Sequence, residues 1–542
     1  MLYNLFSLII ILPVLMGFGS FFQNLFGKIW QGISAQIVSG MFLLIIVWHI
    51  LAFFVPIGFE VEMVSILLGL SGFFYFKLYE VFWKFSSEKG IILSCLIVIT
   101  LFFAGYYPFI LDHFGYYVPT IKWLSEFGLV KGITNLDWVL GQMSPWHIFQ
   151  AGFSHFADPF LRINSVLLIT FFIYIIEKRQ WIMLCFSPIF FLFLQSPSPD
   201  LPAIVISLII LNEIWLQNRN SELLFALSVL VFSIKPTMIW LPMLSFLYPI
   251  LVLKQNLKFI GLGSFILGLY LIKNIWVFGY PFFPLELANL GLGWQPHESL
   301  FVESGEIAIL KTYDMQYSID EIHNFSTWDF IRNWLFLPGI RGIVNIFFVI
   351  ALIIFGVFSI KKNNKIVWLI LFSILVKSAF VLLFSAQYRF FIDVFFVIFI
   401  LLFYSLFSKK KALIVFGSLS AVLFVFLSFP NTIQHLIPSF RLGHYIFGFD
   451  KKQVWKPSGF ELNRFETYRV GDLQFNLVKN YPFCFDTPLP ALSPYQLEDF
   501  LKLNIFPHRI GNSLKKGFVW KTLTPQEKEQ IRYILHKIEQ EK

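Results

Sequence analysis

The chain has 542 residues, of which 57% are hydrophobic and 13% charged, with a net charge of +9 and a mean hydropathy of +0.73. A soluble domain carries about 25% charged residues, so this composition excludes an ordinary water-soluble enzyme. The uneven placement of the basic residues argues for membrane topology and against nucleic-acid binding.

The chain is therefore read as an all-α polytopic membrane protein, because lipid offers no water to unpaired backbone groups. A crossing helix needs about 20 apolar residues. In chain order the candidate spans are 1–19, 36–57, 61–76, 90–111, 159–176, 181–195, 201–216, 222–235, 237–253, 257–275, 341–360, 366–385, 390–407 and 412–429. That makes about 13–14 transmembrane helices. The first run lacks a preceding basic residue and a small-residue cleavage motif, so it reads as a retained span. The 70 phenylalanines supply lipid-facing bulk and point to no function.

Alternate connections hold the positive charge: Lys77, Lys84 and Lys89; Lys178 and Arg179; Arg219; Lys254 and Lys258; Lys361, Lys362 and Lys365; Lys409, Lys410 and Lys411. This bias makes those loops cytoplasmic. On the opposite, extracytoplasmic face fall residues 112–158, SPSPD at 196–200, Lys235, the loop 276–340, SAQYRFF at 385–391 and everything after 429. The segment 430–542 is charged and Pro-containing, and reads as a small extracytoplasmic C-terminal domain. Its last helix is expected to start at Thr524-Pro525, with Thr524 as N-cap. The organisation is thus 1–89, accessory helices; 90–429, a transmembrane core; and 430–542, the tail domain.

Candidate chemistry gathers on that outer face. Asp112 and His113 end the span at 90–111, ahead of a long loop whose amphipathic text (IKWLSEFGLV) and Trp123, Trp138 and Trp146 suggest that it lies along the interface. A carboxylate held there can act as a base. Asp200 stands in SPSPDLPAI at the mouth of a span, where a helix N-cap is the simpler role. Lys235 lies in VFSIKPTMIW, Lys273 with Asn274 precedes GYPFFP, and Arg389 stands in AQYRFF. Snorkelling explains each cation singly. Together, against the inside-positive trend, they suggest an anion site for a lipid phosphate. GLGSFILG (261–268) reads as a helix-packing pattern. His147 and His155 lack metal-ligand spacing, the three cysteines (Cys95, Cys185, Cys484) suggest neither disulfides nor a metal site, and no phosphate-loop or nucleophile-elbow motif occurs.

These features resemble the C-type (GT-C) glycosyltransferase superfamily, which includes protein mannosyltransferases and aminoarabinose transferases. An essential acid at the start of the first large outer loop matches Asp112, and an Asp-x-Pro step matches Asp200 and Pro202. An Ile-Lys step matches Ile234-Lys235, and a Lys-Asn pair before a Gly-Tyr-Pro turn matches Lys273-Asn274 and 279–284. The first loop is similar to that of bacterial members with Asp-x-Gly-Leu-Tyr-His and then I-x-W: Asp112, Tyr116 and IKW (121–123) match, while the Gly and terminal His do not. The likeness covers about 90–430.

The resemblance implies an inverting transfer of sugar from a polyprenyl-phosphate donor to an envelope glycan, lipid or protein, at the periplasmic face of the bacterial inner membrane. Asp112 would be the base, with His113 as the alternative and Asp200 assisting. Lys235, Lys273 and Arg389 would hold the donor phosphate, and Tyr116, Trp123 and Asn274 would line the acceptor side. Besides substrates, the expected partners are membrane lipids, with no nucleic acid, cofactor or metal. The competing readings are a transporter or flippase of lipid-linked saccharides, for which no internal repeat is seen, and an O-antigen ligase or polymerase.

Overall fold

The computed structural model describes residues 1–80, 87–436, 445–460, 464–479 and 482–540. Within them all fourteen apolar segments are helical. Seven are long and apolar enough to cross a membrane: Leu2–Phe26 (α1), Ile33–Leu51 (α2), Pro236–Leu253, Leu257–Phe278, Ile340–Lys362, Lys365–Phe384 and Lys409–Ser428. The other seven run between 12 and 17 residues, short of the roughly 20 a perpendicular crossing needs. They comprise α3 (Phe59–Tyr75), α4 (Ser87–Phe103), α7 (Ile163–Lys178), Ile182–Phe193 (beginning with α8, Ile182–Phe186), α9 (Asp200–Trp215), α10 (Ser221–Ile234) and α18 (Ile392–Phe403).

Small residues bring the first three helices together. A Cβ on Gly17 would stand 1.9 Å from the Gly69 carbonyl oxygen, and one on Gly40 equally close to that of Leu15. Such backbone approach is available only to glycine. The motif GLGSFILG behaves differently from its reading as a packing pattern. Only Gly263 meets a neighbouring helix, at Phe225; Gly261 and Gly268 have nothing within 4 Å.

The segment 112–158, whose composition suggests an interfacial layer, is folded into short helices and turns. A π-turn, His113–Tyr117, leads into α5 (Val118–Phe127), and 3-10 turns then lead to α6 (Pro145–Ala151). Trp123 and Trp146 are buried: the Trp123 ring meets Phe518 of the tail edge-on at 5.9 Å, whereas Trp146 donates to Asn164 Oδ1 at 2.9 Å inside the bundle. Continuing along the chain, α11 (Trp240–Tyr248) and α12 (Gly261–Phe278) lead to the loop 276–340, which folds into α13 (Glu298–Thr312), α14 (Ile319–His323) and α15 (Thr327–Leu335). Then follow α16 (Ile340–Lys362), α17 (Lys365–Phe384), α18, α19 (Lys409–Ser428) and α20 (Pro430–Leu436).

The tail pairs β1 (Phe465–Val470) antiparallel with β2 (Leu473–Val478), which pairs parallel with β3 (Ala491–Leu492). β4 (Ile505–Arg509) and β5 (Phe518–Thr522) form a second, antiparallel ladder. α21 (Pro494–Leu503) and α22 (Pro525–Gln540) pack together. Thr524 caps α22 as expected: its hydroxyl accepts from Glu527 N–H at 3.3 Å, and the Glu527 carboxylate answers at the Thr524 N–H at 2.9 Å. The tail is fastened to the membrane part by main-chain bonds, Phe518 N–H to the Lys131 carbonyl and Ser458 N–H to that of Gly105, both at 2.9 Å.

One ion pair inside the bundle ties three helices. Lys377 of α17 and Asp393 of α18 are both fully buried and paired, and Trp240 Nε1 of α11 donates to the same carboxylate at 2.8 Å. Breaking a buried pair leaves an uncompensated charge, so Asp393→Ala should cost about 3–5 kcal/mol, seen as a lower melting temperature in detergent. Replacing both, Lys377→Met with Asp393→Leu, should recover most of that loss; equal destabilisation by both variants would contradict this.

Candidate functional site

Two ion pairs form where residues of the segments 112–158, 196–200 and 385–391 meet the helix ends. Asp112 immediately precedes the π-turn, a widened turn often found at functional positions. Its Oδ2 accepts from Arg389 Nη1 at 3.1 Å. Arg389 lies on the 3-10 turn Tyr388–Phe391 that opens α18. The pair is half exposed, 34% and 39% for the two side chains, and so open to a ligand.

Asp200 is the first residue of α9, following Pro199, and is not itself the cap. Its carboxylate is paired with Lys235. Lys235 is extended between α10 and the turn Pro236–Met238, because a residue before proline is pushed out of the helical region.

The pairs are joined into one cluster. The Phe390 ring lies 5.2 Å from both Lys235 Nζ and the Arg389 guanidinium carbon. Behind it, the Tyr116 and Tyr117 rings meet edge-on at 4.6 Å, and the Tyr117 hydroxyl donates to Ser198 Oγ at 3.4 Å. Ser198 in turn lies 3.5 Å from Asp200 Oδ2. Burial, and next the Asp112 charge, push the Tyr116 phenol far above its ordinary pKa, so it stays protonated as a donor. A further cation faces the cluster from α13. Lys311 is exposed and has no hydrogen-bonded or ionic partner among the described residues. Partial desolvation, then the Arg389 charge, lower its pKa, with Asp112 opposing.

Other expected site residues sit elsewhere. The ring of His113 is buried, its Nδ1 unpartnered; burial and then Arg162 hold it well below the ordinary histidine range. It is neutral and buried, with Arg162 as the charge that acts on it. Lys273 is buried and donates to the Met143 carbonyl at 2.7 Å. Its charge is felt by His147, which burial and then Lys273 push down to about 3. His147 contacts the Tyr117 ring at 5.3 Å, so Lys273 lies behind the tyrosines and does not join the cation cluster. Trp123 anchors the tail, and Asn274 fastens the 279–284 turn by donating to the Pro281 carbonyl at 2.8 Å.

Reading the sequence missed Lys311, Phe390, Ser198 and the Tyr116–Tyr117 link. It also passed over Lys377 and Asp393, whose signal was a charge inside an apolar run. Among the described residues, no three His, Cys, Asp or Glu side chains gather closely enough to hold a metal ion.

Asp137 marks where the first loop meets the tail: it lies beside Gln496 of α21 and accepts from Val139 N–H at 3.2 Å. Burial raises its pKa from 3.8 to about 6. The unfolded carboxyl ionises near pH 4 while the folded one keeps its proton to about pH 6. Stability therefore falls as pH rises across that window and stays lowered above it. Asp137→Asn imitates the protonated group. It should raise the melting temperature at pH 8, by at most about 3 kcal/mol of stability, and leave it unchanged at pH 4. A difference equal at both pH values would contradict the assignment.

No curated protein and no solved structure matches this chain. Residues 1–396 match the family model described as a domain of unknown function, DUF8201. That match takes in the first three helices, both acids of the cluster and both of their cations, and by it the chain belongs to the DUF8201 family.

Proposed function

We propose that this protein is an inverting membrane glycosyltransferase with a GT-C-like fold of 13–14 spans, moving a sugar from a polyprenyl-phosphate donor to an envelope acceptor on the extracytoplasmic face. The observation that carries this reading is the half-exposed Asp112–Arg389 pair beside Asp200–Lys235, with the uncommitted Lys311 facing it. A donor phosphate would compete with Asp112 for Arg389. Its arrival would free the carboxylate at the moment a base is needed.

Asp112 then takes the acceptor hydroxyl proton, the acceptor oxygen bonds to the anomeric carbon, and the bond to the phosphate oxygen breaks. The electron pair leaves on the lipid phosphate, where Arg389, Lys235 and Lys311 neutralise it. A phosphate is a good leaving group, so the second carboxylate, Asp200, need not act as a general acid and serves to hold Lys235. Lys273 is left out of this clamp because the Met143 carbonyl occupies it.

The second reading is a transporter or flippase of lipid-linked saccharide. The intramembrane Lys377–Asp393 pair favours it, since such pairs accompany ion-coupled movement, and Lys235 lies within electrostatic reach of both groups.

In a strain lacking the protein and complemented with variants, Asp112→Asn should lower the rate of glycan modification by about two to four orders of magnitude, with donor binding kept. Arg389→Ala and Lys235→Ala should weaken donor binding as well. His113→Ala should leave transfer nearly intact. Abolition by His113→Ala with normal turnover in Asp112→Asn would overturn the assignment of the base.

Topology is tested separately. A cysteine replacing the exposed Asp320 should react with a membrane-impermeant thiol reagent added outside, and one replacing Asn363 should not. The reverse pattern would place the cluster in the cytoplasm.

A further inference from the structure

Helix α15 carries three kinds of surface around one short cylinder. Trp328, Ile331 and Leu335 recur at helical spacing along one stripe, and Trp328 and Ile331 are 66% and 52% exposed. Asp329, Arg332 and Asn333 form the polar sector. Trp334 faces the protein, buried, with its Nε1 donating to the Ala386 carbonyl at 2.8 Å. A helix surrounded by water would not leave a tryptophan and an isoleucine bare on one stripe. A helix lying between water, protein and lipid would have these three sectors.

The depth of α15 agrees. Asn345 Nδ2 of α16 donates to the Trp334 carbonyl at 2.8 Å. Asn345 is five residues into α16, about 7–8 Å along its axis. That is level with Ile343 and Phe347, outward-facing apolar residues in the first turns of a helix long and apolar enough to cross a membrane. Phe336 and Ile340, 63% and 68% exposed, lie on the connection between the two bare surfaces. The apolar stripe of α15 thus leads toward the bare apolar side of α16.

We propose that α15 lies in the bilayer interface, with Trp328, Ile331 and Leu335 among the upper acyl chains of phospholipid, and holds the cation cluster at the depth of the headgroup phosphates. The coupling is short. Ala386, bonded to Trp334, is three residues before Arg389, and its own N–H donates to Thr312 Oγ1 at 3.1 Å, next to Lys311. Membrane insertion of α15 therefore sets the height of Arg389 and Lys311 together and opens the cluster sideways toward lipid. This inference concerns position alone and stands apart from the transferase reading.

The test uses full-length protein in phosphatidylcholine vesicles, with Cys95, Cys185 and Cys484 replaced by alanine. A single cysteine at 328 or 331 carries an environment-sensitive fluorophore, and one replacing Asp320 serves as the water-facing control. Labels at 328 and 331 should be quenched several-fold more by a lipid spin-labelled near its headgroup than the label at 320, and less by iodide. Iodide quenching equal to that at 320 would place α15 in water and overturn the proposal. Shielding from both quenchers would also overturn it, by showing that protein covers the stripe.

A second measurement leaves the cysteines untouched. Brominated phospholipid should quench a smaller part of the tryptophan emission in Trp328→Phe than in the native protein, and an identical quenched fraction would equally contradict the proposal.

Discussion

A charge cannot stay alone inside an apolar bundle, and the arrangement of this protein follows from that constraint. Removing an ion from water costs several kcal/mol even after relaxation, so buried charges among the described residues are met by fixed partners. Lys377 has Asp393. Glu62 accepts three main-chain N–H groups, from His155, Phe156 and Ala157. Arg162 donates to the carbonyls of Ala104, Phe160 and Ser458, and so clamps the end of α4 to the tail. Lys273 is held by a carbonyl. These contacts use up the interior charges as structural fasteners.

The Asp112 end of the bundle differs in degree. There the carboxylates meet their cations at partial exposure, and Lys311 remains unmatched among the described residues. A pair that is half in water is cheap to exchange, because a ligand anion can replace the carboxylate without leaving either charge unsolvated. This separates the partly exposed cluster, whose pairs are cheap to exchange, from the Lys377–Asp393 staple, which cannot open without stranding a charge. The staple contributes indirectly. Trp240 lies five residues after Lys235 and Asp393 four after Arg389, so the bond between them fixes the spacing of the two turns that carry the cluster cations.

Much of this was legible in the sequence, and the limits have physical causes. Composition disclosed the helical bundle, and every apolar run folds as a helix. Length was harder to read, since apolar text continues past the helix ends into turns such as Ser187–Phe193 and Pro249–Leu253. Asp112, Asp200, Lys235 and Arg389 stood out because charges at apolar helix ends are costly, and they do converge. Lys273 looked the same in sequence, yet the Met143 carbonyl, 130 residues away, takes its ammonium. Lys311 was hidden for the opposite reason: it lies in polar text, where a lysine is unremarked, and only the fold of α13 carries it to Arg389. The contact that covers Trp123 depended on the tail, whose docking strand β5 is nearly 400 residues away. Local pattern could not disclose that partner.

The central claim is that a glycosidic bond is made at this cluster. The most direct measurement takes purified protein in proteoliposomes with the lipid extract of a strain lacking it, adds envelope glycan from that strain, and follows both by mass spectrometry. The account predicts that one sugar appears on the glycan while free polyprenyl phosphate accumulates, without added nucleotide. Lipid-linked saccharide that crosses the bilayer chemically unchanged, with no new bond, would contradict the account and establish transport.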